Sequence, residues 1–140
     1  MTLFEPHLRV KRSTIPKAGK GLFTKVDIPK DSLIVEYLGK VTKWKDAAHG
    51  DGLNPYIFYV NRNKVIDAWK TPKHLARYAN DAKGLVKVKG LRNNAEYTTK
   101  KGRAYIKATR NIPAGSEILV SYGDDYWEIL KENLKEAGKI

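Results

Sequence analysis

Apolar and polar positions alternate over short distances along most of this chain, with breaks at glycine, proline and asparagine. That pattern predicts many short β-strands with one or two helices. Residues 8–13 and 21–26 read as strands joined by a turn around Pro16, Gly19 and Gly21. The strongest strand is 32–39, a β-branched apolar run ended by Gly39. Residues 56–60 and 64–69 have the pattern of a hairpin across Asn61-Arg62-Asn63. Residues 44–55, rich in Gly, Asp and Asn, read as an exposed loop. Ile118 to Tyr122 forms a last strand that stops at Gly123.

Helical spacing occurs twice. In 71–80, Thr71 can act as cap, Pro72 suits the first helical position, and Leu75, Tyr78 and Ala79 share a face. A second helix is expected over about 125–137, where Asp124 and Asp125 suit the positive end of its dipole. One echo runs through the chain: 26–35 and 110–120 both place Ile-Pro, a polar turn and Ser before an apolar strand. Shared turn chemistry explains this without gene duplication.

At 140 residues the chain fits one domain, 1–140, with its core in about 8–127. Without cysteine it has no disulfides, Cys-ligated zinc or iron–sulfur clusters. His7, His49 and His74 lie far apart without ligand-type spacing, so no metal is expected. No apolar run approaches the roughly 20 residues of a membrane span, the start is not signal-like, and no membrane contact is expected.

The formal charge of +12 favours an anionic partner. Between Lys83 and Arg103, seven basic residues stand against one acid, Glu96. This segment suits either a solvated face or a nucleic-acid contact without base specificity. No aromatic stripe interleaves with its lysines, which argues against a single-strand stacking platform.

The nucleophile elbow, the phosphate loop and the dinucleotide fingerprint are all missing. Gly19-Lys20-Gly21 would let a ligand approach the backbone closely, although alone it reads as a tight turn. Its combination with later pieces carries more weight. Gly19 and Gly21, then Tyr37-x-Gly39, then Arg77-Tyr78-x-Asn80, then Asn-Asn-Ala-Glu-Tyr, then Glu117-Ile to Tyr122 occur in this order. In order and spacing this resembles the SET-domain family of protein lysine methyltransferases along nearly the whole chain.

The resemblance implies a mainly β, SET-type fold of several small curled sheets, with the C-terminal segment threaded under an earlier loop. It implies S-adenosylmethionine as cofactor, S-adenosylhomocysteine as product, and a lysine-bearing protein, histone or histone-like, as substrate. Gly19, Lys20, Gly21, Arg77, Tyr78, Asn80, Asp81 and Trp127 would bind the cofactor. Tyr122 would be catalytic together with Tyr37, and Tyr56, Tyr97, Val120 and Tyr126 would line the substrate channel. The chain departs from the family where Asn80-Asp81-Ala82 stands for the usual Asn-His-Ser, and where about ten extra residues precede Asn93-Asn94.

Two other readings stay open: a non-enzymatic basic β-domain that binds nucleic acid, and an inactive SET fold that only docks. Tyr37 and Tyr122 also fit plain core aromatics, and Asn80 a helix cap. Compact size and missing cysteines suit a bacterial or viral chain, expected in the cytoplasm or in a host nucleus, with a homodimer allowed.

Overall fold

The computed structural model describes residues 3–16, 18–43, 57–61, 63–68, 71, 73–82 and 90–121, with the backbone alone for 57–61. Among the described residues there are nine strands: β1 (Leu8–Arg12), β2 (Lys20–Thr24), β3 (Leu33–Glu36), β4 (Lys40–Thr42), β5 (Ile57–Asn61), β6 (Lys64–Asp67), β7 (Ala95–Lys100), β8 (Arg103–Ala108) and β9 (Val120–Ser121). They form three small sheets, ordered β1-β2, β3-β8-β7-β9 and β4-β6-β5. This is the mainly β architecture that the short alternating runs anticipate.

Strand β2 explains much of the core. Gly21, Leu22, Phe23 and Thr24 are all buried, because β1 pairs along one edge and residues 116–118 run along the other. Ile118 N–H donates to the Leu22 carbonyl at 2.7 Å, and Thr24 N–H to the Ser116 carbonyl at 3.1 Å. Leu22, Ile34, Ile106, Ile118 and Val120 meet in one apolar cluster.

The two echoed turns are partners. Ile28 and Ile112 exchange both backbone hydrogen bonds at 2.8 Å. Asp27 Oδ1 accepts from Ala114 N–H, and Asn111 Oδ1 accepts from Lys30 N–H, each at 2.8 Å. Gly115 N–H donates to the Thr24 carbonyl as Asp31 N–H does to that of Ala108. Asp31 and Gly115 both have positive φ, 71° and 88°. Each turn repeats the other across a local two-fold relation, so the shared chemistry has a structural reason.

The helix expected over 71–80 is reduced to a single 3-10 turn, Leu75–Tyr78. His74 before it is extended, and Thr71 does not cap it: among the described residues its buried hydroxyl has no hydrogen-bond partner. Tertiary pairing overrides the helical spacing here. Asn80 must be extended to bridge Leu119 in parallel, and its carbonyl accepts from Val120 N–H at 2.8 Å. The C-terminal helix expected over 125–137 lies outside the described residues.

Candidate active site

Glu117 anchors the site. Its side chain is only 6% exposed, yet it carries a carboxylate. Oε1 accepts from Thr14 N–H at 2.9 Å and from the Thr14 hydroxyl at 2.6 Å. Oε2 accepts from the Ser13 hydroxyl at 2.7 Å and, more loosely, from Asn80 Nδ2 at 3.4 Å. A buried carboxylate persists where donors replace its lost water. These donors come from the end of β1 and from residue 80, so one side chain ties three distant segments together.

Gly21 is where this arrangement needs a glycine. A Cβ there would run into Glu117 Oε2 and would stand 3.2 Å from Ser13 Cβ. Gly21 lies within β2, not in the turn expected for it, and its missing side chain makes room for the carboxylate. Its replacement by valine would therefore disturb the fold, not ligand binding alone. Gly19 belongs to the turn, with φ of 73°.

Residue 80 joins this junction to the strand before it. Asn80 Nδ2 donates to the Lys20 carbonyl at 3.0 Å. Arg77 Nη1 donates to the Ala68 carbonyl at 2.7 Å, and its guanidinium lies 5.1 Å from the Tyr78 ring centroid. Asp81 is buried and accepts from Asn93 Nδ2 at 2.8 Å, while Asn93 Oδ1 accepts from Ala82 N–H at 2.8 Å. That two-point contact closes the base of the ten-residue insertion. Asp81 thus takes a structural part in the variant Asn-Asp-Ala stretch.

Asn94 performs the next fastening. Its amide donates to the Glu117 carbonyl and its Oδ1 accepts from Leu119 N–H, both at 2.9 Å. Residues 117–121 thereby run between Asn80 on one side and β7 on the other, where Ala95 is parallel to Val120 and Glu96 to Ser121.

Along β7 the second half of the site appears. Tyr97 packs edge-on against Tyr37, with ring centroids 6.0 Å apart and planes at 80°. Tyr37 is 4% exposed, Val120 is fully buried, and Tyr97 is half-buried against the same cluster. Edge-to-face contact of this kind is a favoured aromatic geometry. Glu117 at one end and Val120 at the other therefore link the glycine strand and Asn80 to a tyrosine pair.

A family model described as the SET domain matches residues 19–123, from the first glycine of the β1–β2 turn to the glycine after Tyr122. The chain belongs to the SET-domain family.

Among curated proteins it is similar to the histone-lysine N-methyltransferase set-1 of Caenorhabditis elegans, at 26% identity over 125 residues. The match takes in 82% of this chain and 50% of the relative, so the chain spans about half the relative's length. Among solved structures it resembles the methyltransferase domain of human PR domain-containing protein 2, with a TM-score of 0.60 and 24% identity. That likeness covers 84% of this chain and 77% of the other, and it supports the SET fold.

Of the residues expected at a SET-type site, Gly21 and Asn80 meet at Glu117, with Lys20 tied to Asn80 through its carbonyl and Gly19 to Ser13 through its own; Tyr37, Tyr97 and Val120 belong to one apolar cluster. Arg77, Tyr78 and Asp81 flank Asn80. Tyr56, Tyr122, Tyr126 and Trp127 lie outside the described residues. Sequence reading assigned no role to Ser13, Thr14, Asn93 or to the Glu117 side chain. The available signal was a carboxylate at the head of an otherwise apolar run, Glu-Ile-Leu-Val.

Proposed function

We propose that this chain transfers a methyl group from S-adenosylmethionine to the side-chain nitrogen of a lysine in a protein substrate. The supporting observation is the family match over 19–123, whose motif segments converge on Glu117 and the tyrosine pair. The name of the set-1 relative makes a histone or histone-like protein the substrate class to test first.

The described residues are compatible with the cofactor. Among the described residues a Cβ on Gly19 would meet nothing within 4 Å, so they leave the backbone beside Lys20 open on that side. Gly19, Lys20, Gly21 and Asn80 would hold the cofactor, with Arg77 and Tyr78 behind Asn80. When bound, it supplies an activated sulfonium methyl group. The protein's share is then alignment, which positioning can provide. The Tyr37–Tyr97 wall excludes water, and a dry channel favours the neutral amine over the ammonium because desolvation lowers a lysine pKa. Tyr122 orients that nitrogen, and tyrosine rings stabilise positive charge on the moving methyl group.

Calorimetric titration with S-adenosylmethionine, paired with labelled methyl transfer to a histone mixture, tests this reading. One binding site and label on lysine are expected. Absence of binding favours the non-enzymatic module, whereas binding without transfer favours the inactive fold.

Product degree follows from Val120 and Tyr97. Val120 is small, which leaves room for an amine that already carries a methyl group. The expected product has more than one methyl group, read by mass spectrometry at long reaction times. Monomethyl product alone would place a blocking water on the Tyr97 hydroxyl, and Tyr97→Phe would then raise the degree.

A further inference from the structure

We infer that the β1–β2 ribbon is a docking surface for the phosphate backbone of a nucleic acid. From Pro6 to Val26 there are six lysines and arginines and no acid. Arg9, Lys11 and Arg12 on β1, Lys20 on β2 and Lys25 just beyond it are all exposed. Among the described residues none of these five has a carboxylate within ion-pair distance; the two ion pairs there are Arg103–Glu36 and Lys107–Asp31.

The ribbon concentrates this charge at some cost to itself. Arg12 stands directly opposite Lys20 in the register, and like charges facing each other across strands are destabilising. Arg9 and Lys11 share one face, about 7 Å apart at the usual strand rise, roughly two nucleotide steps along one strand of a duplex. Lys11 Nζ lies 4.4 Å from the Phe23 ring centroid, which directs that ammonium along the ribbon face. Strand β1 pairs only with β2 among the described strands, so a long partner can lie along its outer edge.

The shape and chemistry select the partner. A membrane surface would call for apolar side chains beside the cations, yet the exposed large hydrophobics among the described residues, Leu38 and Val41, lie elsewhere. A strand edge with cations on both faces, Arg9 and Lys11 on one and Arg12 on the other, suits a line of phosphates lying along that edge and gripped from either side. Contacts of this type fix position and carry no base sequence. The surface is built from other residues than the basic run between Lys83 and Arg103, and it does not depend on methyl transfer.

Fluorescence anisotropy with a labelled 20-base-pair duplex over a salt series, without cofactor, provides the test. The variant Arg9→Gln/Arg12→Gln/Lys25→Gln alters only exposed side chains. It is expected to bind more weakly and to lower the slope of log affinity against log salt by up to about three units. The charge-keeping variant Arg9→Lys/Arg12→Lys should retain most of the slope. Unchanged affinity and slope in the glutamine variant would overturn the inference and leave these cations as a solvated strand edge. Polyglutamate displacing the duplex equally well at the same charge concentration would overturn it too, in favour of an acidic protein.

Discussion

Glu117→Ala is expected to lower the unfolding free energy by about 3 kcal/mol. Hydrogen bonds to charged groups contribute roughly 1.5–3 kcal/mol each, but bonds sharing one acceptor group do not add in full. The truncation takes the carboxylate away from the Ser13 and Thr14 hydroxyls and from Thr14 N–H. It also leaves a cavity beneath Gly21. Against a typical domain stability of about 5–15 kcal/mol the loss is large. Glu117→Gln should cost much less, since its carbonyl can keep the Thr14 contacts and the Ser13 hydroxyl can turn to accept. Urea unfolding with linear extrapolation measures both. An alanine variant within about 1 kcal/mol of the parent would mean that the carboxylate does not hold this junction together.

Tyr122→Phe should slow methyl transfer by on the order of a hundredfold or more while leaving folding and cofactor affinity intact. The tyrosine follows Ser121, the last residue of β9, and falls within the SET match. In the proposed mechanism its hydroxyl orients the lysine nitrogen and stabilises the charged methyl group, contacts that matter chiefly in the transition state. Removing such a group lowers the rate of the chemical step more than it weakens binding. Single-turnover transfer measures the effect, with circular dichroism and cofactor titration as controls. Near-normal transfer by a well-folded variant would reduce Tyr122 to a packed ring at the end of a strand.

The strands were legible where short-range pattern decides them. The β-branched run at 33–36 and the paired runs at 57–61 and 64–67 appear close to their expected places. The hairpin partners β5 and β6 were legible as well, but the long-range pairings were not, because β3 pairs with β8, and β7 with β9, across long stretches of chain. The helix over 71–80 failed for a related reason. Spacing of Leu75, Tyr78 and Ala79 suits a helix, but the pairing of Asn80 with Leu119 demands extended backbone.

The ordered motifs named Tyr37 and Tyr97 as expected site residues, and the structure brings their rings into edge-on contact. The motifs include Glu117, but the part its side chain plays stayed hidden, because a carboxylate in a strand normally implies a solvent-facing position. Its donors, Ser13 and Thr14, are more than a hundred residues away in sequence. The fastening done by Asn93 and Asn94 stayed hidden for the same reason: their side chains act on partners 11 to 25 positions distant.

The mutual grip of the two Ile-Pro turns bears on how the chain reaches its native state. Its side-chain contacts join residues 81 and 87 positions apart. Closing a loop of that size costs about 4 kcal/mol of chain entropy before any contact repays it. Topologies dominated by such distant pairings fold on the slow, millisecond-to-second side. As the ribosome releases the chain, the turn at 27–32 has no mate until the stretch around 111–116 emerges, so Leu22 and Ile28 wait uncovered through the synthesis of everything between.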